Sequence, residues 1–334
     1  MGENGSEAYR LKVALVYYSS FSSFIRNDYN ILSKHFEVRK VNIGSIHDIT
    51  KLGKAIYWCD LSFTWFAGEH AFPTVAFSKT LGKRSLVVAG GYDVACDREI
   101  GYGQFTLHWH KRAMTKFVLE QADAILAVSD FTRREVLKRS RPRRLQMIYN
   151  GVDTGRFSPG DAPKEDLVLT VGGISHDTIK RKGLEAFVKS AKFVPEARFA
   201  VVGKDSDGST EYLRSIAPEN VEFAGMVSDE DLLKYYRRAK VYVQASAYES
   251  FGMALAEAML CECVPVATDK GALPEVVGNT GFFISYGDVK GMAEKIREAL
   301  ASEKGPEARR RITTTFSIRQ REVAVVKAIR KVGD

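Results

Sequence analysis

Residues 241–267 read VYVQASAYESFGMALAEAMLCECVPVA, with two short apolar runs on either side of a polar turn and a helix-forming segment. The runs at 241–245 and 264–267 have the length and composition of buried strands. The segment between them is rich in Ala, Leu, Met and Glu, which favour a helix. This order predicts a strand-helix-strand unit of a parallel sheet. Ligands bind such sheets beyond the carboxyl ends of the strands, which is where Glu249 lies.

Two glutamates frame the start of the expected helix. Ser250 is a good N-cap, which predicts a helix that begins close to Phe251. Glu249 then lies in the loop and Glu257 lies two turns into the helix, so their carboxylates stand about 10 Å apart. The helix N-terminus between them suits an anion. A nucleotide-sugar has hydroxyl groups at both ends and a diphosphate between them, and it fits this layout; the plain alternative is that both glutamates are solvated.

The segment ESFGMALAEAM at 249–259 resembles the E-x7-E signature of the family-4 retaining glycosyltransferases, which have the GT-B fold. The resemblance is close from 129 to about 281 and includes VSDFT at 128–132 and IYNGVD at 148–153. It implies two Rossmann-like domains that face a central cleft. Alternating strand and helix patterns in both halves independently predict an α/β protein.

The resemblance also implies the domain division. The first domain, at 1–155, is expected on the acceptor side and is completed by a C-terminal helix at about 313–331. A linker at 154–166, which contains two glycines and two prolines, leads to the second domain. That domain, at 166–312, is expected to bind the nucleotide-sugar.

Lys182 stands where the family has its phosphate-binding lysine, in the pattern V-G-R-x4-K-G. Gly173 occupies the place of the arginine in this pattern, and the loop to Lys182 is longer, so Lys180 or Arg181 is expected to supply the second positive charge. The resemblance and the helix start together predict a donor site at Gly172, Gly173, Arg181, Ser250, Phe251, Gly252, Met253 and Glu257.

A second ligand-facing turn follows the expected strand at 85–89. Gly90, Gly91, Tyr92 and Asp93 combine small residues with an acid at the carboxyl end of a strand. The family has His-Asp at this place, so Asp93 is carried over as a catalytic residue beside Glu249 and Lys182, and no general base is assigned. The alternative is an ordinary Gly-Gly turn capped by Asp93.

Composition limits the class of protein. The 334 residues are 45% hydrophobic and 27% charged, as in a globular enzyme of two domains. Because no apolar run reaches 18 residues and the first ten residues lack the apolar core of a signal peptide, we expect a cytoplasmic protein. The four cysteines are too few for a disulfide framework and lack metal-ligand spacing, so no metal site and no cofactor is expected.

The formal charge is +8, and seven basic residues crowd into 133–144. This segment predicts peripheral contact with the inner face of the membrane or with an anionic acceptor, although most charge runs are solvated surfaces. No aromatic residue interrupts 132–146, so nucleic acid is not an expected partner.

The function that the resemblance implies is a retaining, metal-independent hexosyltransferase of glycan biosynthesis. Its donor would be a UDP- or GDP-sugar and its acceptor a glycan, a lipid-linked molecule or a small molecule. Fixed positive groups stabilise a departing diphosphate best in a site shielded from water. Lys182 and the start of the helix are expected to provide this stabilisation. Two alternatives stay open: another GT-B enzyme, such as a sugar-nucleotide epimerase or a phosphorylase, and a non-catalytic protein that binds an anionic polymer.

Overall fold

The computed structural model describes residues 10–18 and 20–333, which form two α/β domains on two six-stranded parallel sheets. The predicted α/β architecture with two Rossmann-like domains is therefore confirmed. Residues 1–9, for which we expected no signal peptide, lie outside the described residues. No helix among the described residues combines the length and the apolar character needed to cross a membrane.

Domain 1 is built on the first sheet. Its strands are β1 (Lys12–Tyr17), β2 (Glu37–Asn42), β3 (Leu61–Trp65), β4 (Arg84–Ala89), β5 (Ala124–Ala127) and β6 (Leu145–Met147), in the order β2-β1-β3-β4-β5-β6. Its helices are α1 (Ser23–His35), α2 (Ile49–Trp58), α3 (Ala71–Thr80), α4 (Trp109–Gln121) and α5 (Asp130–Arg139). Helices cover both faces, which is why the inner strand β3 is buried throughout while the edge strand β2 carries exposed charged residues.

Domain 2 repeats this plan. Its strands are β7 (Glu165–Val171), β8 (Arg198–Val202), β9 (Val221–Gly225), β10 (Ala239–Gln244), β11 (Val264–Thr268) and β12 (Phe282–Ile284), in the order β12-β11-β10-β7-β8-β9. Its helices are α6 (His176–Lys182), α7 (Leu184–Ser190), α8 (Thr210–Ile216), α9 (Asp229–Arg238), α10 (Met253–Leu260), α11 (Leu273–Val277), α12 (Val289–Leu300) and α13 (Gly305–Thr315). Strand β10 pairs in parallel with β11, and α10 connects them, as the stretch 241–267 predicts.

The chain returns to domain 1 through α14 (Ile318–Gly333). Val325, Ile329 and Val332 pack in the core beneath the first sheet. The buried guanidinium of Arg321 donates to both carboxylate oxygens of Asp28, at 2.6 and 2.7 Å. Since α13 packs on α10 and ends at Thr315, the crossing occurs at 316–317, a few residues later than the expected start of the returning helix.

Three local expectations were wrong. Ser250 does not cap the helix near Phe251: α10 begins at Met253 after Gly252, whose φ of 92° turns the chain. The expected loop up to residue 181 contains α6, because Ser175 and Thr178 form a capping box that starts a helix. Finally, the linker ends earlier than expected, because β7 already begins at Glu165.

Candidate active site

The predicted donor residues lie at the carboxyl ends of β7 and β10 and face the loop after β4 of domain 1. The two domains touch here: a Cβ atom added to Gly91 would lie 1.6 Å from the Oγ of Ser250. Tyr102 of domain 1 and Tyr248 of domain 2 also meet, with ring centroids 5.2 Å apart. The candidate site is therefore a cleft with walls from both domains.

Glu249 is held by its own backbone and by a buried glutamine. Its carbonyl oxygen accepts the N–H of Ala272 at 2.8 Å, and its carboxylate accepts from the Nε2 of Gln244 at 3.4 Å. Gln244 is 3% exposed; its amide accepts from the Tyr242 hydroxyl at 3.2 Å and donates to the Ser246 Oγ at 2.7 Å. The carboxylate is thus oriented before any ligand arrives. Sequence reasoning missed Gln244, because it reads as one polar residue at the end of a buried strand.

Lys182 ends α6 and folds over the glycines that follow β7. A Cβ atom on Gly172 would lie 2.7 Å from the Nζ of Lys182, so the side chain needs a glycine at that position. Burial lowers the pKa of Lys182, whereas the charge of Glu249 raises it. The structure therefore brings together Gly172, Lys182 and Glu249, three of the residues predicted for the site. Gly203, which the sequence did not indicate, also has no room for a side chain, since a Cβ atom there would lie 2.0 Å from the carbonyl oxygen of Gly172.

The two candidates for the missing phosphate arginine have different surroundings. The Nζ of Lys180 donates to the carbonyl of Glu99 in domain 1. The guanidinium of Arg181 lies 5.0 Å from the ring centroid of Tyr102 and next to Lys182. Burial raises the pKa of Tyr102 to about 12, with Arg181 lowering it and Glu249 raising it, so all three groups share one environment. Arg181 is the one of the two whose side chain lies with the donor residues.

The start of α10 offers backbone rather than side chains to a ligand. The ring of Phe251 is 2% exposed and packs against Phe316, with centroids 5.5 Å apart. Gly252 brings the chain round with a positive φ, and Met253, whose side chain is half-buried, opens the helix. Among 250–253 the structure thus leaves mainly N–H groups for contact with an anion.

Glu257 has a hydrogen-bond partner within domain 2. The hydroxyl of Tyr236, a buried core residue, donates to its carboxylate at 3.1 Å. Burial raises the pKa of Glu257 to about 7, with the Tyr236 hydrogen bond and the charge of Arg156 lowering it. Glu257 therefore changes its charge near neutral pH.

Asp93 organises the turn after β4. Its two oxygens accept the N–H groups of Ala67 at 2.8 Å and Gly91 at 2.7 Å, and the residue is 1% exposed. Burial raises its pKa to about 6, and the backbone donors lower it. These contacts describe the turn-capping role that the sequence left open beside the catalytic one; the catalytic assignment stays a prediction.

The basic segment 133–144 is partly neutralised. Asp130 pairs with Arg133 and Arg134, at 2.7 and 2.9 Å, and Glu135 pairs with Lys138 and Arg139, at 2.6 and 3.3 Å. The remaining exposed cations follow α5 and continue towards the end of α14, where an Arg144 nitrogen donates to the carbonyl of Lys331. Among the described residues, Arg141, Arg143 and Arg144 are therefore the cations of this segment without a carboxylate partner.

Comparison with solved structures supports the architecture. The sucrose-phosphate synthase of Thermosynechococcus elongatus superimposes with a TM-score of 0.79 at 19% identity, over 96% of this chain and 99% of that one. HepE of Anabaena, solved in complex with UDP, gives a TM-score of 0.79 at 15% identity, over 96% and 100% of the two chains. These glycosyltransferases have the GT-B fold, which is therefore the fold of this chain.

Sequence relatives agree with the fold. The D-inositol 3-phosphate glycosyltransferase of Mycobacterium sp. (strain KMS) is 28% identical over 280 residues, which cover 76% of this chain and 60% of the relative. The alpha-maltose-1-phosphate synthase of Mycolicibacterium smegmatis is 26% identical over 61% of this chain and 58% of the relative. The chain thus spans about three fifths of the length of these relatives.

Two glycosyltransferase families match this chain, one in each domain. The family described as Glycosyltransferase Family 4 matches residues 65–156 in domain 1. The family described as Glycosyl transferases group 1 matches residues 165–302 in domain 2, which carry Lys182, Glu249 and Glu257. Because each domain carries its own match and the two meet at the cleft, the chain belongs to the group 1 glycosyltransferases of family 4.

Proposed function

We propose that this protein is a retaining glycosyltransferase that transfers a hexose from a nucleoside-diphosphate sugar to a hydroxyl group of an acceptor. The observation that carries the proposal is the placement of Lys182 and Glu249 in one electrostatic environment beside Gly172. A cation for the diphosphate and an oriented carboxylate for the sugar are the two groups that such a donor needs at its reacting end.

The leaving group is the centre of this chemistry. The departing diphosphate gains negative charge, which Lys182, Arg181 and the N–H groups at the start of α10 can stabilise without rearrangement. Glu249, held by Gln244, accepts hydrogen bonds from the hydroxyl groups of the donor sugar. The departing phosphate takes the proton of the acceptor hydroxyl, so that the new bond forms on the face that the leaving group vacates. In this scheme no metal ion is required, and turnover should persist in the presence of EDTA.

The donor nucleotide is expected to lie along α10. Glu257 accepts hydrogen bonds from the ribose hydroxyl groups, two turns beyond the diphosphate. A UDP-sugar is the favoured donor, with support from HepE of Anabaena, which was solved in complex with UDP and glucose. Two relatives are named as acting on D-inositol 3-phosphate and in the synthesis of alpha-maltose 1-phosphate, which supports a polyhydroxylated acceptor here.

Contact with a membrane surface belongs to the same proposal. Arg141, Arg143 and Arg144 are exposed on domain 1 and lie beside the end of α14. Each cation near an anionic bilayer contributes about 1 kcal/mol, so three produce a weak and reversible association. We place the protein at the cytoplasmic face of a membrane, with a lipid-linked acceptor as one way to use that location.

The test is turnover of defined donors. The protein is incubated with UDP-glucose, UDP-N-acetylglucosamine or GDP-mannose, with and without a pool of acceptors, and release of nucleoside diphosphate is measured. Release that depends on an acceptor, with retained anomeric configuration by NMR, supports the proposal. Conversion of the donor sugar without an acceptor indicates an epimerase, and the absence of both release and donor binding overturns it.

Glu249→Gln gives the sharper version of this test. It should lower turnover by orders of magnitude while nucleoside diphosphate still binds, because the phosphate contacts remain. Glu294→Gln, at an exposed position in α12, makes the same charge change at a residue outside the predicted site and is the matched control. Near-normal turnover of the Glu249 variant would remove this residue from the mechanism.

A further inference from the structure

Domain 1 has an aromatic cluster at the carboxyl ends of its strands that the donor site does not use. Tyr18 follows β1, His70 lies in the loop after β3, and Tyr92 lies in the loop after β4. We propose that Tyr18 and His70 form a second subsite, which binds an uncharged hydroxyl-bearing ring, such as a sugar or a cyclitol, as the acceptor. The subsite deepens the proposed function and rests on it for the identity of the reaction.

The hydrogen bond of His70 determines which of its two ring nitrogens carries the hydrogen. Its Nε2 lies 2.7 Å from the carbonyl oxygen of Trp65, and since a carbonyl can only accept, Nε2 carries the hydrogen. Burial lowers the pKa of His70, so the ring is neutral at neutral pH and Nδ1 keeps a lone pair. The contacts among the described residues give Nδ1 no partner. Nδ1 therefore accepts from a ligand donor, and a hydroxyl group is such a donor.

The loop that carries His70 is held in place. Asp93 accepts the N–H of Ala67 at 2.8 Å, the N–H of Ala71 donates to the carbonyl of Gly68 at 2.9 Å, and the Thr74 hydroxyl donates to the carbonyl of His70 at 2.8 Å. Gly68 borders Nδ1 without a side chain, and a Cβ at this position would lie 3.4 Å from the nitrogen, at van der Waals contact. An acceptor atom with a fixed direction can orient one hydroxyl group without further ordering.

Tyr18 supplies an apolar surface next to that nitrogen. Its ring stacks on His70 with centroids 5.8 Å apart and an angle of 26° between the planes, and the residue is 56% exposed. The C–H face of a sugar or cyclitol ring packs against an aromatic ring, while its hydroxyl groups need hydrogen-bond partners at the edge. The stacked pair offers both features side by side.

The local charges favour an uncharged ring over an anionic one. Lys111 is within electrostatic range of Tyr18 and Tyr92, but it is paired with Glu69 at 2.6 Å. The Glu69 carboxylate offsets the charge of Lys111 and would repel a phosphate bound beside it. An uncharged acceptor unit fits these surroundings.

The cluster approaches the donor site through Tyr92, which is within electrostatic range of Lys111, as Tyr18 is. Tyr92 lies 5.2 Å from Tyr102, ring centroid to ring centroid, and Tyr102 shares its environment with Glu249 and Arg181. Gly91, next to Tyr92, touches Ser250. A ring on Tyr18 and His70 is therefore on the domain 1 side of the same cleft as the donor sugar.

The experiment measures binding directly, so that it does not depend on turnover. Glucose, myo-inositol and their monophosphates are titrated into the full chain and followed by saturation-transfer NMR, in the presence and absence of UDP. We expect a neutral ring to bind and its signal to fall about tenfold or more in Tyr18→Ala and in His70→Gln. Glutamine can still donate to the Trp65 carbonyl but lacks the acceptor at Nδ1, so the fold of the loop is preserved. Tyr57→Ala, at a 75% exposed tyrosine of α2, is the control.

The outcomes separate this proposal from the function. If UDP binds normally to all variants while the ring signal falls only in the two cluster variants, the subsite is supported. A ring signal unchanged in both variants, or a monophosphate that binds tighter than the neutral ring, overturns it. If the wild-type chain binds rings at this cluster but neither binds nor turns over any nucleotide-sugar, the subsite stands and the proposed transfer fails.

Discussion

Gly91 of domain 1 and Ser250 of domain 2 meet so closely that no side chain fits between them. A Cβ atom on Gly91 would lie 1.6 Å from the Oγ of Ser250 and 2.5 Å from its Cβ. Gly91 also has a φ of 123°, which residues with a Cβ rarely adopt. The closed cleft therefore requires glycine at this position for two independent reasons.

Gly91→Ala should keep the domains from closing. We expect turnover of the nucleotide-sugar to fall at least about tenfold, because the donor residues lose their domain 1 wall, and X-ray scattering should show a larger radius of gyration. Gly82→Ala is the matched control, since Gly82 also has a positive φ, of 63°, but has nothing within 4 Å of its Cβ position. Equal activity in the two variants would show that the contact has no function.

Glu275 holds the domains together through a helix end. Its carboxylate accepts the N–H groups of Asp130 and Phe131, at 2.8 and 2.7 Å, and the hydroxyl of Tyr149 at 3.2 Å. Glu275→Ala removes a negative charge and the partners of two N–H groups at the start of α5, a loss of about 1–2 kcal/mol. Denaturant unfolding should show this loss, whereas Glu294→Ala, at an exposed position of α12, should show almost none. A loss equal to that of the control would mean that water replaces the carboxylate fully.

Nucleotide affinity should depend on pH through Glu257. A ribose diol donates hydrogen bonds to the ionised carboxylate, and burial has raised the pKa of this group to about 7. Affinity for UDP should therefore rise about tenfold between pH 6 and pH 8 and then level off, because the ionised fraction grows as pH passes the pKa. Calorimetry on Glu257→Gln, in which this residue cannot ionise, measures the pH dependence that comes from titration of the diphosphate alone. The difference between the two proteins is the contribution of Glu257. The same pH dependence in both proteins would place Glu257 outside the nucleotide site.

Replacing only one residue of the Asp28–Arg321 ion pair should lower the unfolding free energy strongly. Both residues are buried, at 0% and 3% exposure, and Asp28 also accepts from the Trp65 indole at 3.0 Å. Asp28→Asn leaves a buried guanidinium without its counter-charge, which costs about 3–5 kcal/mol of unfolding free energy. The double variant Asp28→Leu with Arg321→Met should lose less, because no uncompensated charge remains. A single variant as stable as the double variant would contradict this account.

Membrane association should depend on three arginines. Arg141, Arg143 and Arg144 changed together to Gln should reduce co-sedimentation with anionic vesicles, and high salt should do the same for the wild-type chain, because the attraction is screened. Arg139 is left unchanged, since it pairs with Glu135 and stacks over Phe105. Lys51, Lys54 and Lys290, exposed elsewhere, changed to Gln give the matched charge control. Recovery that is equal with neutral and anionic vesicles would mean that the segment is only solvated surface.

Much of the fold follows from local patterns in the sequence. The apolar runs of β4, β7 and β11 are continuous because helices cover both faces of each sheet, and this pattern predicts parallel strands directly. The start of α10 was misplaced because Ser250, a good cap by type, is used in the contact with Gly91. Tertiary contact here overrode a local preference.

The candidate site was less accessible to sequence reasoning. Glu249 and Lys182 were predicted as site residues from their motif positions, whereas Gln244 and His70 stand out only through the groups that the fold places beside them. Gln244 acquires its role from Tyr242 and Glu249, and His70 from the carbonyl of Trp65. No spacing along the chain encodes these pairs; Trp65 and His70 are near in sequence, but their hydrogen bond depends on the fold of the loop.

The return of α14 to domain 1 also imposes an order on biosynthesis. Residues 318–333 leave the ribosome after the whole of domain 2, yet they contribute Val325, Ile329 and the Arg321 partner of Asp28 to the core of domain 1. Domain 2, which is contiguous, can complete its core while the ribosome is still translating. The nascent domain 1 therefore carries an open apolar face until residues 318–333 have been synthesised and can pack against it.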